Sequence, residues 1–201
     1  MSQNTQRSRV ARMTLLAMMI ALLIVLALVN IPMPTGLSIT FNMIPVAIAA
    51  MAMGVPGGAI VGGAFGLISF LQCFGILGSS ALGAALVSYS PVLMFVQRFV
   101  SRLLVGVCCG LIFSGMQRTK APFYAKGLVT GFSAAFLNTL LFMSLLVLFF
   151  GWTDKLKDDV VSNGAIMYII TSVGINAVVE MAVASLVTAA AGVALRKARL
   201  I

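Results

Sequence analysis

The sequence predicts an all-α integral membrane protein of six transmembrane helices, with both termini on the cytoplasmic side. Three observations predict it. Of the 201 residues 61% are hydrophobic and the mean hydropathy is +1.14, too apolar for a soluble fold and enough for about six spans of ~20 residues in one domain covering 1–201. The apolar runs are separated by Pro/Gly turns or short charged segments. Lys and Arg gather in Arg7, Arg9 and Arg12, in Arg118, Lys120 and Lys126, and in Arg196, Lys197 and Arg199, all on one side if the chain crosses six times. Such clusters mark short cytoplasmic segments, and five or seven crossings would break the pattern. The opposite side holds Lys155 and Lys157, outweighed by Asp154, Asp158 and Asp159.

The first helix is expected over about Val10–Val29. Its basic start and apolar body have the outline of a signal peptide, but no A-x-A cleavage pattern follows, so the helix is expected to be retained. Two prolines and a glycine in Asn30-Ile-Pro-Met-Pro-Thr-Gly stop it, and a polar loop with Thr35, Ser38 and Thr40 follows. A second helix, about Asn42–Met53, turns tightly through Gly54-Val-Pro-Gly-Gly58 into a third, about Gly57–Gln72. Both are short for a span, so tilt or burial is expected. Cys73–Ser88 is a Gly/Ser-rich link, and a fourth helix runs over about Tyr89–Met116. The fifth opens with Pro122 at an N1-like position and continues to about Phe150, with Trp152 at interfacial depth. The sixth covers about Ser162–Leu195. Glycine ridges at 58/62/66, 106/110 and 127/131 predict close helix packing, because association within lipid relies on small residues.

Composition removes several function classes. The net charge of +9 is taken up by the cytoplasmic clusters and by two arginines within the fourth helix, so nucleic acid is not an expected partner. Histidine is absent and only four carboxylates are present, which makes a general acid–base site hard to assemble, and no enzyme is expected. Cys73, Cys108 and Cys109 follow no metal-ligand spacing; neither a metal nor another cofactor is implied. No P-loop is present, so energy for any pumping must come from partner subunits.

The candidate site starts from Arg98 and Arg102. A guanidinium at the bilayer centre costs roughly 2.5–3.5 kcal/mol on insertion scales and normally faces a cavity or a counter-charge. At i and i+4 the two share a helix face, which makes an anion receptor, since the guanidinium fork matches a carboxylate bidentately. The alternative for Arg102 is an internal ion pair with Glu180, the one acidic residue outside the short 154–159 loop. Helix five adds Asn138 and Thr139; helix six adds Tyr168, Ser172, Asn176 and Glu180, whose spacing of four makes a continuous inward stripe. At 1.5 Å per residue, Arg98 lies roughly 14 Å from the outer helix ends, and Arg102, Asn138 and Asn176 roughly 20 Å. Polar groups from three helices therefore converge in the outer half, with the Thr35 loop on the same side as a lid and Phe95, Phe99, Phe142 and Met143 as an apolar wall.

This pattern resembles the substrate-binding S components of energy-coupling factor (ECF) vitamin transporters, from the basic N-terminus through Ala17-Met-Met-Ile-Ala21 to Gly174-Ile-Asn-Ala-Val-Val-Glu180. The resemblance implies a six-helix subunit in a prokaryotic plasma membrane that binds a vitamin near the outer surface and works with a transmembrane coupling subunit and two ATPases. Ala17 and Ala21 would then form the docking face for the coupling subunit; ordinary helix packing is the alternative. Asn138 and Asn176 are similar to residues of the riboflavin members, but Glu180 follows and the expected Lys is absent. IPMPTGLSITF and GINAVVE look more like the pantothenate members. The residue pattern and the resemblance together make Arg98, Arg102, Thr35, Asn138, Tyr168, Ser172, Asn176 and Glu180 the residues expected to bind the vitamin. Riboflavin, lipoate and other acidic vitamins are the alternatives, and a self-sufficient secondary carrier is the alternative of another class. The carrier would call for broken midplane helices in both halves, which the sequence does not display.

Overall fold

A computed structural model describes the backbone of residues 3–29, 31–32, 38–78, 80–153 and 165–198, and side chains for 10–29, 40–78, 80–153, 174 and 176–198. It is helical apart from one two-residue antiparallel ladder. The order is α1 (Gln3–Leu28), β1 (Ile31–Pro32), β2 (Ser38–Ile39), α2 (Met43–Leu71), α3 (Ala81–Val87), α4 (Pro91–Gln117), α5 (Phe123–Phe150) and α6 (Ala165–Lys197). Five stretches among the described residues are long and apolar enough to cross a membrane, one in each helix except α3.

The polar loop after α1 is a small hairpin, with Ile31 opposite Ile39 and Pro32 opposite Ser38. Helix α2 contains both expected short helices, joined at Gly54, whose φ of 67° and ψ of −150° lie outside helical space. Residues eight apart in a straight helix are about 12 Å apart. Here a Cβ on Gly57 would stand 2.6 Å from the Ala49 carbonyl oxygen, so the legs 43–53 and 55–71 fold back on each other at the break. Pro56 fits in the first turn of the second leg, where its missing N–H is not needed.

The Gly/Ser-rich link differs from expectation. A 3₁₀ turn (Gln72–Phe74) and a left-handed Gly75 (φ 77°) end α2, and α3 forms where no helix was expected. Ser80 caps it by accepting from the Gly83 N–H at 3.2 Å, while the Gln72 amide donates to the carbonyls of Ala27 (3.1 Å) and Leu77 (3.2 Å). The apolar run Ala81–Val87 is too short for a span but long enough for a capped two-turn helix. Helix α4 starts with Ser90 as N-cap and Pro91 at N1, and Pro122 stands one position outside α5 with φ −62° and ψ 148°.

The glycine ridges pack as expected. The second leg of α2 runs antiparallel to α4, with Gly58 against Gly106; a Cβ on Gly62 would lie 2.6 Å from the Arg102 carbonyl oxygen, and one on Gly66 2.8 Å from Phe99 Cα. Helices α5 and α6 close in the same way, with Gly127 on Ala189 and Gly131 on Ser185. Helix α1 is peripheral. It buries Leu15, Met19, Leu23 and Ala27, a stripe of period four, and turns Met13, Met18, Val25 and Leu28 outward.

Candidate ligand-binding site

Helix α4 buries Gln97, Arg98, Ser101 and Arg102 on the side that faces α2 and α5. Because the glycines of α2 bring its backbone against α4, the two arginine side chains run along the interface. Arg98 donates from Nη1 to Ser69 Oγ and from Nη2 to Ser80 Oγ, both at 3.0 Å. Ser80 Oγ therefore takes the α3 N-terminal N–H and a guanidinium at once, which pins the link onto α4. Gly83 is required beside it, since a Cβ there would lie 2.7 Å from Cys73 Sγ and 2.8 Å from Arg98 Nη2.

The Arg102 guanidinium lies over the rings of Phe65 and Phe142, 4.8 Å from each centroid, and donates to the Arg98 carbonyl oxygen (3.3 Å) and to Ser101 Oγ (3.2 Å). Arg98 lies 5.0 Å from the same Phe142 ring, so the two cationic carbons are no more than about 10 Å apart. Both arginines are about 95% buried, and the Nε of each has no hydrogen-bond partner.

Neutral polar groups surround this pair. Gln97 Nε2 donates to the Phe142 carbonyl oxygen at 3.1 Å, and its Oε1 is buried without a partner. Asn138, one turn before Phe142, has an unpartnered Oδ1. The antiparallel register from Gly127/Ala189 and Gly131/Ser185 carries Asn138 to the level of 176–180 on α6, where Asn176 and Glu180 are buried. Glu180 Oε1 accepts the Thr40 N–H at 2.8 Å, so the strand after α1 is tied to α6 at this level. The ion pair weighed for Arg102 is not formed: the described hydrogen bonds of Arg102 go to α4 and that of Glu180 to Thr40.

The family model described as ECF transporter, substrate-specific component, matches residues 11–191. The chain belongs to that family. A search of curated proteins found no match. As an ECF substrate-specific component the protein is a membrane transport subunit, not an enzyme, that takes a small molecule and associates with coupling and ATPase subunits. The matched region contains the arginine pair, Asn42, Asn138, Asn176 and Glu180.

Among the residues expected to bind substrate in this ECF component, Arg98 and Arg102 meet at Phe142, Asn138 stands one turn before Phe142 on α5, and the α5/α6 register puts Asn176 and Glu180 at the level of Asn138. Thr35 lies outside the described residues, as do the side chains of Tyr168 and Ser172. Ala17 and Ala21 are both exposed on the outer side of α1, so they do not pack inside the subunit. The expected apolar wall is corrected in part. Phe142 belongs to it and Met143 lies in the same buried cluster, with Leu86, Met94 and Leu146, but Phe95 stacks on Phe99 and meets Phe70 edge-on in a partly exposed aromatic row. Phe65 takes the place assigned to Phe99, because the Gly62/Gly66 approach brings the inner face of α2 over Arg102.

Sequence reasoning passed over Ser69, Ser80, Gln97, Asn42 and Phe65. For Gln97 and Asn42 a signal existed, since uncharged amides within apolar runs are as out of place as charges. For Ser69 and Ser80 none did: nothing local tells a serine that accepts from a guanidinium from one that bonds its own backbone.

Proposed function

We propose that this ECF substrate-specific component captures pantothenate from outside a prokaryotic cell, for delivery when docked to an ATP-driven module. The observation that carries the reading is two buried guanidiniums within about 10 Å of each other, each with an unpartnered Nε. Glu180 is the one carboxylate among the described residues, and its described hydrogen bond goes to Thr40. Buried cations call for an anion, and a ligand carboxylate supplies one. Of the other orphan groups, those on Gln97, Asn138 and Asn42 favour a ligand that also carries hydroxyls and an amide, while that of Thr188 lies further in on α6. That favours pantothenate over lipoate, whose remainder is apolar, and over riboflavin, which has no carboxylate.

Counting the two legs of α2 separately gives six crossings, with both termini cytoplasmic as the basic clusters demand. The hairpin tied to Glu180 is then the outer lid, and the exposed Ala17/Ala21 face of α1 is the contact with the coupling subunit. A thermal-shift screen of purified protein tests the substrate. Pantothenate at 100 times its Kd should stabilise by about 2.7 kcal/mol. Stabilisation by lipoate or riboflavin, with none by pantothenate, would overturn the assignment.

A further inference from the structure

Asn42 is fully buried, and neither its Oδ1 nor its Nδ2 has a partner. It stands just before α2 but does not cap it, since its φ of −64° and ψ of −14° are already helical and no side-chain cap bond forms. The arginines, Gln97, Asn138 and Thr188 each leave one side-chain nitrogen or oxygen orphaned; Asn42 leaves both ends of its amide. Its position follows from two contacts. Thr40 bonds Glu180, and the Met51 methyl lies against Gly192, so the first leg of α2 runs parallel to α6 with a nearly constant offset of 140 residues. Asn42 therefore falls beside about residue 183 of α6, some 4 Å below Glu180 and some 7 Å below the level of Asn138. Directly beneath it the apolar core begins: Met43, Ile44 and Val46 pack with Val61, Val105, Ala134 and Ala184.

Asn42 thus lies inward of Asn138, Asn176 and Glu180, with a donor and an acceptor both open; the next buried polar group on that side without a partner, the Thr188 hydroxyl, stands about five residues further in on α6. Resting on the carboxylate-ligand reading above, we propose that Asn42 is the floor of the ligand site and determines specificity for the end of the ligand remote from its carboxylate. The group that complements a free amide must both accept and donate, as a hydroxyl or a second amide does. In pantothenate that group is the terminal hydroxyl.

The test compares pantothenate with its analogue lacking the terminal hydroxyl, each titrated calorimetrically into wild type and Asn42→Leu. Wild type should prefer pantothenate. Asn42→Leu should bind pantothenate about tenfold or more weakly and the deoxy analogue as wild type does, with the preference for acid over carboxamide unchanged. Ligand-free Asn42→Leu should melt at or above wild type, because an apolar group of similar size relieves an unsatisfied amide. Asn42→Ala should repeat the binding pattern with a smaller side chain. Equal loss for both ligands, no loss for either, or a lower ligand-free melting temperature for Asn42→Leu would each overturn the floor assignment while pantothenate still binds wild type. Absence of pantothenate binding to wild type overturns the substrate reading itself, and this assignment with it.

Discussion

Replacing Arg98 by Met separates an anion receptor from a structural cation, because the two roles predict opposite balances of stability and affinity. In the ligand-free protein the substitution removes two charge-assisted hydrogen bonds, to Ser69 and Ser80, each contributing about 1.5–3 kcal/mol. Ser80 still accepts from the Gly83 N–H, so its hydroxyl is not left without a partner. Against that loss stands the repulsion between the two guanidiniums. Their distances of 5.0 and 4.8 Å from one Phe142 ring limit their separation to about 10 Å, where an effective dielectric of about 20 gives about 1.7 kcal/mol or more. Relief of burying a cation adds several kcal/mol on the same side. Ligand-free stability should therefore stay within about 2 kcal/mol of wild type. Binding should not: loss of a buried carboxylate's partner costs about 2–5 kcal/mol, which is about 30- to 5,000-fold in Kd. Thermal unfolding in detergent reads the first quantity and calorimetric titration the second. A carboxamide analogue of pantothenate makes the test specific, because wild type should reject it and Arg98→Met should bind acid and amide about equally weakly. Full discrimination retained in Arg98→Met would move the carboxylate to Arg102. Retention in both Arg98→Met and Arg102→Met would refute the anion receptor altogether.

Removing the Glu180 side-chain acceptor with Glu180→Ala should free the Thr40 N–H, losing a hydrogen bond worth about 0.5–1.5 kcal/mol, and so loosen the hairpin. Faster ligand dissociation and faster hydrogen exchange at Thr40 are the expected readouts, and unchanged values for both would show that the hairpin is held by other contacts. Ala17→Trp and Ala21→Trp should leave pantothenate affinity intact, since both positions are exposed on α1, yet abolish uptake in cells by blocking close approach of the coupling subunit. Normal uptake in both variants would place the docking face on another helix.

The sequence by itself determined the membrane class, the helical content, most helix boundaries to within a few residues and the presence of two cations that need an anion. These are one-dimensional properties: hydropathy over about 20 residues, turn residues with fixed dihedral preferences, and charges that lipid does not tolerate. The glycine ridges were legible for the same reason, because a missing Cβ at every fourth position has one main use in a membrane helix. Tertiary structure decided which groups answer the cations. Arg102 faces Phe65 and Phe142 rather than Glu180, since the approach of α2 to α4 at Gly62 and Gly66 leaves room for rings but brings no carboxylate. Glu180 instead holds Thr40, a contact across 140 residues that no local pattern encodes. Helix α3 also depended on context: its capping bond is local, but Ser80 is oriented as much by Arg98 as by Gly83. Registers between helices, and so the meeting of Arg98 and Arg102 at Phe142 and the levelling of Asn138 with Asn176 and Glu180, arise from how close two backbones can come, which is a property of pairs of helices and not of any one of them.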